Sequence, residues 1–143
     1  MYLLVNLQET FLMKKQLFLV MIILTACRIS AIAQDELFDP VVKAFRESDA
    51  KALSSSFNLT VELRLPDNEN TYSAAQTEMI LKEFFKKYPS DSFNILEKGS
   101  TDNASRFAIG NYTSAGKNFQ VYIYFRDEKG KFLIHKLRVN AKK

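Results

Sequence analysis

The 143-residue chain holds one cysteine, one histidine, four glycines and three prolines. A single cysteine, Cys27, can close no disulfide within the chain. The single histidine, His135, has no Cys/His/Asp cluster around it at ligand spacing, so a metal site is not expected. Four scattered glycines supply no phosphate-cradling loop, and no cofactor is expected. Ser54-Ser55-Ser56 has no activating base near it in sequence. No internal repeat, low-complexity tract or Pro/Gly-rich linker divides the chain.

Long apolar runs are also scarce. The uninterrupted one, Leu17 to Leu24, is far shorter than the roughly 20 residues a membrane-spanning helix requires. Lys14 and Lys15 precede it and Ala31-Ile32-Ala33 follows, which is the order of an export signal. Residues 1–12 are expected to be an upstream start, and the signal to cover about 13–33. Two processing routes are open. Leu24-Thr25-Ala26-Cys27 has the form of a lipoprotein box, and acylation of Cys27 would anchor the protein to the membrane at roughly 0.8 kcal/mol per buried CH₂. Cleavage after Ala33 would instead release a periplasmic or secreted protein without cysteine.

Residues 34–143 are enough for one core and one domain. They carry 17 basic and 15 acidic groups, too even a balance to indicate a nucleic-acid partner. The charges are segregated: 34–103 hold 8 basic and 13 acidic groups, 104–143 hold 9 and 2. Basic positions on adjacent C-terminal strands could gather and attract an anionic partner.

The period of the apolar residues changes along the domain. Asp39-Pro40 can start a short helix bearing Leu37, Val41, Val42 and Phe45 on one face. Ser48-Asp49 can cap a second, with Ala50, Leu53 and Phe57. From Leu59 the period is two, with Leu59, Val61, Leu63 and Leu65 facing inward. Pro66-Asp67-Asn68 turns the chain into a short return strand at Thr71-Tyr72. Ser73 and Gln76 form a capping box for a third helix bearing Ile80, Leu81, Phe84, Phe85 and Tyr88, which Pro89 ends. Four strands follow, about 92–98, 106–113, 118–126 and 131–140, joined by short polar turns as antiparallel hairpins.

Ser48-Asp49-Ala50-Lys51-Ala52-Leu53 leading to Phe57, Ser73-Ala74-Ala75-Gln76 opening the third helix, and Lys131-Phe132-Leu133-Ile134-His135-Lys136-Leu137 closing the sheet carry a resemblance. With this element order the chain resembles the nuclear transport factor 2-like, or cystatin-like, superfamily, in particular its small exported bacterial domains of uncharacterised activity. The resemblance implies an α+β cone, three helices of the N-terminal half packed on a curved, mainly antiparallel sheet. Enzymes of that superfamily, ketosteroid isomerase and scytalone dehydratase among them, place acid/base groups inside the cone. The interior positions expected here, Leu59, Val61, Leu63, Leu65, Phe93, Ile95, Phe107, Ile109, Phe119, Val121, Ile123 and Phe125, are all apolar, so a non-catalytic domain is expected.

His135 falls beside Leu133, Leu137 and Val139 on strict alternation, whereas a bulge would put Phe132 and Ile134 inside. The outward face is expected to carry Arg106, Tyr112, Gln120, Tyr122, Tyr124 and Arg126, types frequent at interface hot spots. Dimers of the superfamily commonly use this open face. The expected partners are thus a second copy or another envelope protein, with a small apolar ligand in the cone as the alternative.

Overall fold

The computed structural model describes residues 2–26 and 29–143, apart from the side chains of 5–9 and 20–35. Cys27 lies outside the described residues. These residues divide into two compact units, Met1–Glu36 and Leu37–Lys143. The first contains α1 (Tyr2–Ala26). Among the described residues no helix is long and apolar enough to cross a membrane.

The second unit takes α2 (Ile29–Arg46) from Leu37 onward, together with α3 (Ala50–Ser54) and α4 (Ala74–Lys87). Pro40 was expected to open the first of these helices but lies inside it. Its missing amide removes one helical hydrogen bond, while the Ala, Ile, Gln and Glu residues upstream sustain the helix. Asp49 caps α3 by accepting the Ala52 amide proton at 2.9 Å. Ser73 Oγ accepts the Gln76 amide proton at 3.2 Å, and Gln76 Oε1 accepts the Ser73 amide proton at 3.1 Å, which completes the capping box of α4.

Strands β1 (Phe57–Leu65), β2 (Asn68–Ser73), β3 (Ser92–Asp102), β4 (Ser105–Ser114), β5 (Lys117–Glu128) and β6 (Lys131–Ala141) form one curved, unclosed sheet in the order β2-β1-β6-β5-β4-β3. All neighbours are antiparallel except β1 and β6. Two of the hairpins turn on positive-φ pairs, Ala115-Gly116 and Lys129-Gly130. A two-residue turn of this kind suits the twist of the strands and fixes their register.

Helices α2 and α4 lie against the concave side of the sheet through aromatic contacts. Phe45 of α2 stacks on Phe93 at 4.6 Å and meets Phe85 edge-on at 5.7 Å. Phe84 of α4 meets Phe119 edge-on at 5.5 Å. Such ring pairs add about 0.5–1.5 kcal/mol beyond the area they bury.

Five expected orientations are corrected. Leu59 is 86% exposed, because the β1–β6 register shifts between Phe57 and Glu62 while Val61, Leu63 and Leu65 stay buried. In β4 the phase is reversed: Ala108, Gly110, Tyr112 and Ser114 are buried, and Phe107 and Ile109 lie on the convex side. Tyr112 is therefore fully buried and its hydroxyl donates to the Tyr88 carbonyl. Arg106 is cross-strand partner to the buried Phe125 and shares its concave face.

The reason for the reversal is volume. A Cβ on Gly110 would stand 2.5 Å from two ring carbons of Phe93, so this register admits only a minimal side chain beneath that ring. Gly110→Ala is expected to cost about 1–3 kcal/mol in urea unfolding, since it forces a fully buried ring to move; Gly99→Ala, which meets only the partly exposed Phe107 ring, should cost less. Equal stability of Gly110→Ala and the parent would refute this packing. Tyr112→Phe should lose about 1 kcal/mol with the hydroxyl's hydrogen bond, and no loss would place that hydroxyl in solvent.

Candidate interaction face

The convex face is set by ten consecutive β4–β5 pairs without a register shift. Directly opposed residues share a face, so Ser105 lies with Arg126, Phe107 with Tyr124, Ile109 with Tyr122 and Asn111 with Gln120. Strand β6 adds Lys136 opposite Tyr124 and Arg138 opposite Tyr122. Phe107, Ile109, Tyr122 and Tyr124 are each half-buried and form an apolar and aromatic centre. The ring of Phe107 extends over Gly99 of β3, where an added Cβ would approach it to 2.9 Å. Aromatic cover of a strand glycine in this way also protects the β3 backbone.

An ionic cluster bounds this centre on the β1 side. Glu62 receives Lys136 Nζ at 3.0 Å and Arg138 Nη2 at 3.3 Å. The hydrogen bond from Lys136 is the largest influence on the Glu62 carboxyl and, with Arg138, holds its pKa below the ordinary value against the opposing effect of burial. Arg64 and Glu69 pair at 3.5 Å further out, where both are about half exposed. Such exposed pairs contribute little to stability.

His135 stands at a bulge. Tyr124 pairs with Lys136 and Phe125 with Ile134, which leaves His135 with no residue opposite. Both orientations weighed from the sequence meet here: Ile134 is buried before the bulge, and Leu137 and Val139 are buried after it. His135 is half-buried and its Nδ1 is buried without a hydrogen-bond partner. Burial, then the positive charges of Arg126 and Lys136, pull its pKa below 6.5, outweighing Glu62 and a backbone hydrogen bond at Tyr124.

Of the six residues expected on the open face, Gln120, Tyr122, Tyr124 and Arg126 are there. Tyr112 and Arg106 are not. The Arg106 guanidinium lies 4.7 Å over the Phe132 ring and donates to the Asp102 and Ser105 carbonyls at 3.0 Å each. The face gains Phe107 and Ile109, hidden in the sequence because their apolar character suggested core. A signal was available: Ala108 and Gly110 between them are small, as an inner position beneath a large ring requires. Among the described residues no group of three or more His, Cys, Asp or Glu side chains is placed to hold a metal ion.

Residues 38–140 match the family described as a domain of unknown function, DUF4783. No curated protein matches the chain. A DUF4783 protein from Bacteroides uniformis is 27% identical, with 73% of this chain and 96% of that one covered and a TM-score of 0.70. A cystatin-like-fold domain of unknown function from Nostoc punctiforme is 9% identical over 79% of this chain and 77% of that one, with a TM-score of 0.63. An NTF2-like protein of unknown function from Shewanella baltica is 13% identical over 80% and 94%, with a TM-score of 0.60. The latter two are alike in fold alone. The chain belongs to the DUF4783 family, and its second unit has the nuclear transport factor 2-like, cystatin-like α+β fold.

Proposed function

We propose that this is a non-catalytic interaction domain that acts outside the cytoplasm and associates with a second copy of itself through the convex sheet face. The observation that carries the reading is the set of registered pairs Phe107/Tyr124 and Ile109/Tyr122, which gather four apolar or amphipathic side chains on the side of the sheet away from the α2 and α4 ring contacts. Desolvated aromatic groups at the middle of a patch with a charged rim are what an interface uses for affinity. The rim here is the Glu62–Lys136–Arg138 cluster. Export is supported by Lys14-Lys15, the Leu17 to Leu24 run and Ala31-Ile32-Ala33.

A small ligand inside the cone is the weaker reading. Phe45, Phe85, Phe93, Tyr112 and Phe119 occupy that volume in mutual ring contact.

Light scattering on the protein should show a dimer, and Ile109→Lys combined with Tyr122→Lys should weaken association by roughly tenfold or more, the effect of about 1.4 kcal/mol. Both side chains lie off the concave core, so the variant should keep the parent's far-ultraviolet spectrum. A parent that stays monomeric at every concentration, or a variant that associates equally well, would refute the reading.

The same face makes stability sensitive to acid. Because His135 takes up a proton less readily when folded, stability is complete above about pH 6.5 and falls as the pH drops from there through the lowered folded value. Glu62 acts separately, its contribution being lost only below about pH 4.5. Urea midpoints for His135→Gln should lose the slope that the parent shows just below pH 6.5. An unchanged slope would remove His135 as its origin.

A further inference from the structure

A second surface, on different strand ends from the convex face, has the chemistry of a ligand site. Two grooves, of about 460 and 550 Å³, meet at Pro66 and Tyr88. Their volumes are in the range of small-molecule sites. Tyr88, at the end of α4, is fixed: its amide donates to the Phe84 carbonyl at 2.8 Å, its carbonyl accepts from the Tyr112 hydroxyl, and its ring lies 5.0 Å from that of Phe119. The Nζ atoms of Lys87 and Lys117 each lie 5.2 Å from the Tyr88 ring centroid.

The two grooves differ in character. The larger, along the β4–β5 turn and the end of β6, is lined by Lys117, Lys142 and Lys143 and by no acidic side chain. The Lys142 ammonium is turned to the Asn111 side-chain oxygen at 2.9 Å, on the convex side, and among the described residues neither Lys87 nor Lys117 has a carboxylate within ion-pair distance. Two cations on one aromatic ring, neither ion-paired with a side-chain carboxylate, favour an incoming anion. The smaller groove offers Leu65, Ile80 and Phe84 as apolar wall, with Asp67 and Glu83 among its lining. Those two carboxylates would repel a second negative charge and leave an apolar body unopposed.

We propose that this trough binds an amphiphilic monoanion, its carboxylate at Lys117 and Lys143 beside the Tyr88 ring and its apolar body past Tyr88 toward Ile80 and Phe84. The inference is independent of self-association. The test is a ¹H–¹⁵N titration of the protein with three probes: decanoate below its micellar range, decanol and inorganic phosphate. Decanoate should produce saturable shifts at the amides of Tyr88, Gly116, Lys117 and Asn118, with decanol at least about tenfold weaker and phosphate giving none. Lys117→Glu, an exposed change whose spectrum reports its own folding, should weaken decanoate about tenfold, whereas the convex-face variant Tyr122→Lys should leave it unchanged. Absence of saturable shifts, equal binding by Lys117→Glu, decanol as strong as decanoate, or phosphate as strong as decanoate would each overturn the proposal.

Discussion

The ten-pair register between β4 and β5 is the constraint on which the rest of the second unit depends. Side chains alternate with a period of two, so moving that register by one residue would exchange every inner position for an outer one. Tyr112 and Phe119 are held inside together, and Phe107 and Tyr124 are held outside together. Two features lock the choice. The Ala115-Gly116 turn, with both residues at positive φ, favours one pairing of the strands it joins, and Gly110 lies so close beneath Phe93 that any larger residue would have to displace that ring.

Irregularity is displaced to other ladders. Register shifts occur between β1 and β6, β3 and β4, and β5 and β6. Among the residues they leave unmatched, Leu59 is turned out to 86% exposure, Leu96 to 61%, and His135 is half-buried with an unsatisfied Nδ1. Bulges of this kind bend a strand and strengthen its twist, which lets a sheet curve around helices. Curvature and the chemical oddities of the convex side thus have a common origin. The regular β4–β5 pair supplies the apolar centre, and the bulged β6 supplies the charged margin.

Legibility in the sequence followed the range of the interactions involved. The α4 boundaries were readable from Ser73, Gln76 and Pro89 because capping and helix termination act within a few residues. The facing of β5 was readable because Phe119, Val121, Ile123 and Phe125 alternate with polar or amphipathic residues. The facing of β4 was not, because both of its phases contain apolar residues, Phe107 and Ile109 on one and Ala108 and Tyr112 on the other. What decides between them is the ring of Phe93 on a neighbouring strand, a contact that no local pattern reveals. Tyr112 and Arg106 therefore lie on the concave side against the local pattern, whereas Tyr122 and Tyr124 lie on the convex side in accord with it. The start of α2 is not legible at Pro40, because proline suits the first helical position and yet is carried inside this helix, where upstream residues favour helix.

The central claim, that this register creates an associating convex face, is tested most directly by hydroxyl-radical footprinting as a function of protein concentration. In dilute protein Phe107, Tyr122 and Tyr124 should react while Tyr112 stays protected. On raising the concentration those three should become protected, while Met79, 70% exposed on α4, reacts as before. A reactive Tyr112 beside a protected Phe107 would contradict the register, and reactivity of the three that is independent of concentration would contradict the interface.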